Sequence, residues 1–333
     1  MGQQNGSVLC VKALVSLLLF APTQIAVHAQ IPGTITSVAG TEGCGNLTAD
    51  PTGDLYILDS YGVQKMAAGT SRITTVASGD LTISGGGMAI DTTGNLYIAQ
   101  GSYGPLANTV QRIAAETRAI TTVAGTKEKY DGLSRRIPGP ATQAFLLSPQ
   151  VLGLDSGGNL YIGEGGVQDI TNDVLKITAS TGVITKLSLS VYPAKRGDPV
   201  DPIARSVTRV LPRALAFDSK GDLYIGDYAN NVVWKVAPDG GMLKRVAGSG
   251  GEGYSGDGVP ATQTKLNGPT GLAFDGEGNL YIADEGNNRV RMLAISSGMI
   301  TTVAGNGTSI ICDVSGHPDP NRDILDWESL SIP

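Results

Sequence analysis

Histidine is almost missing from this chain: it occurs twice in 333 residues, as His28 and His317. A zinc site built from several histidines is therefore excluded, and so is a nucleophilic centre that needs a histidine base in the body of the chain. Large aromatics are scarce too, with 4 Phe and 2 Trp, so the core has to come mainly from Val, Ile, Leu, Ala and Tyr. A basic excess is lacking: the formal net charge is −6 and no dense Lys/Arg cluster is present. That argues against binding to a nucleic-acid backbone, which needs clustered cations. The longest apolar run, Ala13 to Ala21, is about half the length needed to cross a bilayer, which favours a cleaved signal over an uncleaved membrane anchor, and no other segment could span.

That run reads as a processing signal. Lys12 precedes "ALVSLLLFA", and "PTQIAVHAQ" follows with small residues at Val27 and Ala29, which places a cut at Ala29–Gln30. Residues 1–29 are then a signal peptide and the mature protein is secreted, periplasmic or extracellular. Cys10 precedes the run, the wrong place for a lipid-attached cysteine, so Cys44 and Cys312 are the cysteines that remain.

Glycine, by contrast, is abundant at 46 residues, and the chain repeats itself. "DPTGDLYILDS" begins at Asp50, "DTTGNLYIAQG" at Asp91, "DSGGNLYIGEG" at Asp155, "DSKGDLYIGDYANNVV" at Asp218 and "DGEGNLYIADEGNNRV" at Asp275. The tyrosines of Leu-Tyr-Ile fall at 56, 97, 161, 224 and 281, with spacings of 41, 64, 63 and 57. A base period near forty with insertions is the mark of a propeller or solenoid. In the fifth unit "TGLAF", "LYIAD", "RVRMLA" and "MITTVAG" read as four short strands, with tight Asp/Gly/Asn turns between them. Four antiparallel strands in about forty residues make one propeller blade. The fold class is therefore all-β: a β-propeller of four-stranded blades at about 45–79, 85–125, 147–188, 211–248 and 266–305, within a domain of 30–307.

The stretches "LPRALAFDSKGDLYIGDYANNVVWKV" (211–236) and "LNGPTGLAFDGEGNLYIADEGNNRVRML" (266–293) resemble the NHL repeat family. The linkers "YDGLSRRIPGPATQAFLLSP" and "YSGDGVPATQTKLNGP" look like the blade connections of its secreted bacterial members. Such propellers close by adding an N-terminal strand to the last blade, and "ITSVAG" (35–40) matches an outer strand without a blade of its own. It implies an incomplete sixth blade, with the tail 308–333 as the other contributor. In a closed ring Cys44 and Cys312 are neighbours. A disulfide between them would staple the ring, and two free thiols are the other reading. The resemblance also carries enzymatic precedents: zinc-binding amidating lyases, and related gluconolactonase-like propellers that are metal-dependent.

Two kinds of acidic position stand out. Asp50, Asp91, Asp155, Asp218 and Asp275 open tight turns, where an Asp side chain caps backbone N–H groups. Asp227 and Asp284 end second strands and are followed by Asn230–Asn231 and Asn287–Asn288, which suit left-handed backbone. Strand order puts these loops on the same face as the long linkers. That face is the expected ligand surface, with Tyr61, Tyr103, Tyr130, Tyr228, Asn230, Asn231, Tyr254, Asp257, Asp284, Asn287 and Asn288. The expected function is non-catalytic binding of an extracellular protein, peptide or glycan, with no cofactor. The alternative is a Ca²⁺-dependent lactonase- or esterase-like, or lyase-like, enzyme using Glu164, Asp227 and Asp284 at the channel mouth. Protein recovered from outside the cell should begin at Gln30 by intact mass, and retention of Met1 would refute the processing signal.

Overall fold

A computed structural model of the chain describes residues 46–308, except 60–61, 69, 71, 79–85, 102–105, 129–131, 133–134, 166–172 and 191–208. Each Leu-Tyr-Ile segment is the second strand of a small antiparallel sheet in which neighbours in sequence are neighbours in space. Blade one is Asn46–Ala49, Leu55–Asp59, Gly62–Met66 and Ile73–Ala77; blade two is Met88–Ile90, Leu96–Gln100, Thr109–Ile113 and Ile120–Ala124. Blade three is Pro149–Leu154, Leu160–Glu164, Val174–Ile177 and Val183–Lys186. Blade four is Pro212–Phe217, Leu223–Asp227, Val232–Val236 and Lys244–Ala247; blade five is Pro269–Phe274, Leu280–Asp284, Arg289–Ala294 and Met299–Ala304. Together they form a five-bladed β-propeller. The expected sixth-blade segments, 35–40 and the tail beyond Thr308, lie outside the described residues, as do Cys44 and Cys312. No helix of the described residues is long and apolar enough to cross a membrane.

The second strands are apolar on both faces because a blade is covered on both sides. Leu223, Tyr224 and Ile225 are all at most 1% exposed. Tyr161 packs with Leu223, Ile225 and Trp234 of the next blade, and Tyr224 with Leu280, Ile282 and Leu293 of the one after. Tyr56 meets Leu96 and Ile98 in the same way. Two of these tyrosines meet the phenylalanine that ends the next blade's first strand: Tyr161–Phe217 and Tyr224–Phe274, each with ring centroids 4.8 Å apart. Such tilted and edge-on pairs are favoured by the ring quadrupole. Close approach also explains the glycine of "LYIGE" and "LYIGD". A Cβ on Gly163 would lie 2.5 Å from Val151 Cγ1 of its own blade and 3.0 Å from Cβ of Pro212, and one on Gly226 2.9 Å from the Pro269 carbonyl oxygen.

Two blades depart from the expected four strands. Gly139–Pro140 pairs with the outer strand of blade three, and Val259–Pro260 with that of blade five, giving five-stranded sheets. Both additions come from linkers, and each runs into a 3-10 turn of identical sequence, Ala-Thr-Gln, at Ala141–Gln143 and Ala261–Gln263. The Ala141 N–H donates to Gly182 O of the blade ahead (3.0 Å), while its carbonyl accepts from Gly125 N of the blade behind (2.9 Å). Ala261 repeats this with Gly298 O (2.8 Å) and Gly248 N (2.9 Å). These linkers therefore stitch successive blades together by backbone hydrogen bonds. The linker after blade three does so differently: Leu189–Ser190 pairs in parallel with Gly241–Met242, the outer turn of blade four.

The repeated turn has one mechanism in all five blades. Asp275 Oδ1 accepts from the N–H groups of Glu277 (3.0 Å) and Asn279 (2.8 Å), and Oδ2 from the Asn279 side chain (2.9 Å). Asn95 and Asn159, the counterparts of Asn279, also accept from Ala115 N (3.1 Å) and Ala179 N (2.9 Å), tying this turn to the one between strands three and four. Blades one and four have Asp54 and Asp222 at that position, and each is balanced by a lysine, Lys65 (2.6 Å) and Lys235 (2.7 Å). Gly278 is left-handed (φ 84°) with nothing near its missing Cβ, so the backbone alone requires glycine. Gly278→Val should cost about 1–3 kcal/mol in urea unfolding; an unchanged midpoint would contradict this reading.

Candidate functional site

The opposite end of the blades carries the loops between strands two and three and the segments that lead into each first strand. Those lead-in segments are buried, so their N–H groups need acceptors. The acids that end the second strands supply them. Leu147 N–H donates to Glu164 Oε1 (2.7 Å), Leu211 N–H to Asp227 Oδ1 (3.0 Å) and Asn267 N–H to Asp284 Oδ1 (2.7 Å). All three acids are 0% exposed. Gln100 is the equally buried neutral counterpart in blade two.

The remaining oxygens are committed as well. Asp227 Oδ2 accepts from Trp234 Nε1 (2.9 Å) and Asn230 Nδ2 (2.7 Å). Asp284 Oδ2 accepts from Asn287 Nδ2 (2.8 Å) and lies 3.6 Å from the Arg291 guanidinium. Glu164 is paired with Arg135, which reaches in from the linker and also bonds Asp173 at 3.1 Å. Burial raises the pKa of all three carboxyls against these partners, and pushes Glu164 up to about 7. The three acids thus sit in separate blades, each facing its own backbone donors. Among the described residues no group of three or more His, Cys, Asp or Glu is arranged to hold a metal ion.

The asparagines fasten this face. Asn230 and Asn287 each give one amide hydrogen to the blade acid and the other to a linker carbonyl, Arg209 O (2.9 Å) and Gly253 O (2.7 Å). The second asparagine is left-handed, with φ of 53° at Asn231 and 49° at Asn288. Asn231 Oδ1 accepts from Gly268 N of the next blade (2.8 Å). Blade two lacks the Asn-Asn pair, yet Asn108 (φ 57°) holds the same place and accepts from Ser148 N (2.9 Å). Sequence reasoning passed over Asn108, although its position directly before the third strand was a readable signal. Asp257 bonds Arg291 (3.0 Å) and Thr302 (2.9 Å), joining its linker to blade five.

Two expected surface tyrosines present their side chains outward, and Asp257 is exposed as well. Tyr228 is 43% exposed and Tyr254 40%. Tyr254 lies under two guanidinium groups, those of Arg289 (4.0 Å) and Arg291 (4.8 Å), and Tyr228 lies near Arg213 (5.9 Å). The two are linked through the lead-in of blade five. The Tyr228 ring borders Gly268, Gly268 O accepts from Glu285 N, and Asn287 bonds the carbonyl just before Tyr254. Tyr61, Tyr103 and Tyr130 lie outside the described residues. Beneath this face the five first strands line one central channel of about 420 Å³. Arg135 and the channel residue Arg213 were not singled out from sequence, because nothing local to an arginine tells which buried acid or cavity it will meet.

The blades, the central channel and the loop-and-linker face above it define a β-propeller. Within that class the chain carries an NHL repeat: the family model for the NHL repeat matches residues 266–292. Teneurin-1 of Homo sapiens is 25% identical over 232 residues, which are 65% of this chain and 8% of teneurin-1. The chain thus spans a small part of the length of that relative. A structural genomics protein of unknown function from Bacteroides thetaiotaomicron superposes with a TM-score of 0.56 at 20% identity, over 83% of this chain and 61% of that one. A chain in a nidogen/laminin complex superposes with a TM-score of 0.52 at 16% identity, over 78% of each.

Glu164 makes stability depend on pH. Its carboxyl is held near 7 in the folded chain against an ordinary 4.5, so the folded state binds the proton more tightly. The resulting stabilisation is complete below about 4.5 and lost as pH rises through 7. Relative to Glu164→Gln, the parent should lose about 3 kcal/mol across that interval in urea unfolding. A difference that stays flat, or that grows with pH, would show that the Arg135 pair outweighs burial.

Proposed function

We propose that this protein is an extracellular binding scaffold that takes a protein, peptide or glycan on its loop-and-linker face without transforming it. The observation that carries this reading is the pair of outward-facing tyrosines on a face otherwise fastened by internal hydrogen bonds. Tyr254 stacked under two arginines is a rigid amphipathic anchor, the kind of group that contributes most to interfaces while losing little entropy on binding. The acids that an enzymatic reading would use are instead acceptors for buried backbone donors, which supports binding over acid chemistry. The fold is compatible with such a role, since it also occurs in a nidogen/laminin complex.

The double variant Tyr228→Ala/Tyr254→Ala tests the face. Capture of cell-surface extract proteins and of arrayed peptides and glycans should fall at least about tenfold, the loss expected for truncated interface anchors. Its melting temperature should stay within a few degrees of the parent. Equal capture by parent and variant, with loss on changing the exposed Lys220 and Glu277 of the opposite turns, would place binding on the other face.

A further inference from the structure

We propose that Arg213 and Thr270, with Gln150 positioning the arginine, form a binding site for a small organic carboxylate at the head of the central channel. This site adjoins the macromolecular surface proposed above, since Arg213 lies 5.9 Å from the Tyr228 ring, but its ligand enters the channel.

The three residues hold one structural position. Each follows the proline that opens a first strand, in "SPQ", "LPR" and "GPT". Each sits where the ladder between first and second strands slips, between Pro149 and Val151, Pro212 and Ala214, and Pro269 and Gly271. A bulged residue has no partner across the ladder, and bulges re-aim side chains. The ladder therefore does not dictate these side chains, and Arg213 and Thr270 border the channel.

Thr270 carries an unmet donor there, and Arg213 is half-buried. Burial lowers the pKa of Arg213. Its guanidinium bonds the Gln150 side-chain oxygen and lies 5.9 Å from the Tyr228 ring. Among the described residues it has no carboxylate within ion-pair distance; Glu285 acts on it only through space. A guanidinium has five N–H donors, so a half-buried one bonded, among the described residues, only to Gln150 keeps donors for an anion. Thr270 is 7% exposed, and its hydroxyl has no hydrogen-bond partner. Its counterpart positions do not demand a hydroxyl, so nothing in the fold explains it.

A carboxylate answers both needs: it can accept two parallel bonds from a guanidinium and one from a hydroxyl. The channel below sets the rest of the ligand. Its volume of about 420 Å³ suits a small molecule, and Leu47, Met88, Leu152, Leu215 and Leu272 are among the residues that line it. An inorganic anion would leave those apolar walls uncovered. The ligand class is therefore a monocarboxylic acid with a short apolar body.

The probe is hexanoate, titrated calorimetrically into the purified mature protein, with hexanol and inorganic phosphate as controls. Hexanoate should bind with an affinity of about 1 mM or tighter, and hexanol and phosphate at least about tenfold more weakly. Arg213→Met should weaken hexanoate by about 10- to 100-fold, the loss expected for charge-assisted hydrogen bonds. Thr270→Val should weaken it severalfold while raising the melting temperature of the ligand-free protein, because an unmet buried hydroxyl is removed. That opposite movement of affinity and stability is not expected of a purely structural threonine, and it keeps the test valid if Arg213→Met fails to fold. Absence of hexanoate binding, equal binding by parent and either variant, or phosphate binding as tight as hexanoate would overturn the proposal. Macromolecular capture should persist in Thr270→Val, so failure here is distinguishable from failure of the scaffold reading.

Discussion

A four-stranded blade of this protein has two apolar faces and no means of burying either alone. Leu223 and Ile225 point to one neighbour and Tyr224 to the other, and all three are at most 1% exposed only because both neighbours are present. The close features of the fold follow from that constraint. Tyrosine meets the next blade's phenylalanine, and glycine replaces alanine where that blade's lead-in proline or its carbonyl presses on the second strand. The Ala-Thr-Gln turns of the linkers exchange backbone hydrogen bonds with the blade behind and the blade ahead. Stability in such an array resides largely in the interfaces between repeats.

Stacking the blades buries the segments that lead from one to the next, and with them polar N–H groups that water no longer serves. The carboxylates of Glu164, Asp227 and Asp284 meet this demand. They are raised in pKa by the same burial that makes them necessary. Residues whose chemistry most suggests catalysis are thereby committed to holding the scaffold. What remains available to a ligand is what the scaffold does not use: the outward tyrosines beside arginines, and the bulged residues at the channel head, which the ladder leaves unpaired.

Much of the fold was legible in one repeat. Asp275, Gly278 and Leu280-Tyr281-Ile282 state a turn and a doubly buried strand in eight residues, and the copies at 50, 91, 155 and 218 state an array. The aspartate, glycine and asparagine of each turn act within a few residues of one another, so their roles follow from local sequence. The fifth strands were not legible. Gly139–Pro140 and Val259–Pro260 have no strand character of their own and are recruited by an exposed outer edge. Nor was the fate of the loop acids: Asp284 is followed by a glutamate, a glycine and two asparagines, as a surface loop would be, yet it is fully buried.

The sequence by itself determined the blade, its turns, the order of its strands and the face on which loops and linkers gather, because all of these depend on contacts between residues close in the chain. Tertiary structure decided which polar groups are spent and which are spare. Glu164 finds Arg135 across 29 residues, Arg213 finds Gln150 across 63, and Thr270 finds no partner for its hydroxyl. Whether a buried polar group is satisfied depends on what the neighbouring blade brings to it, and no single repeat contains that information.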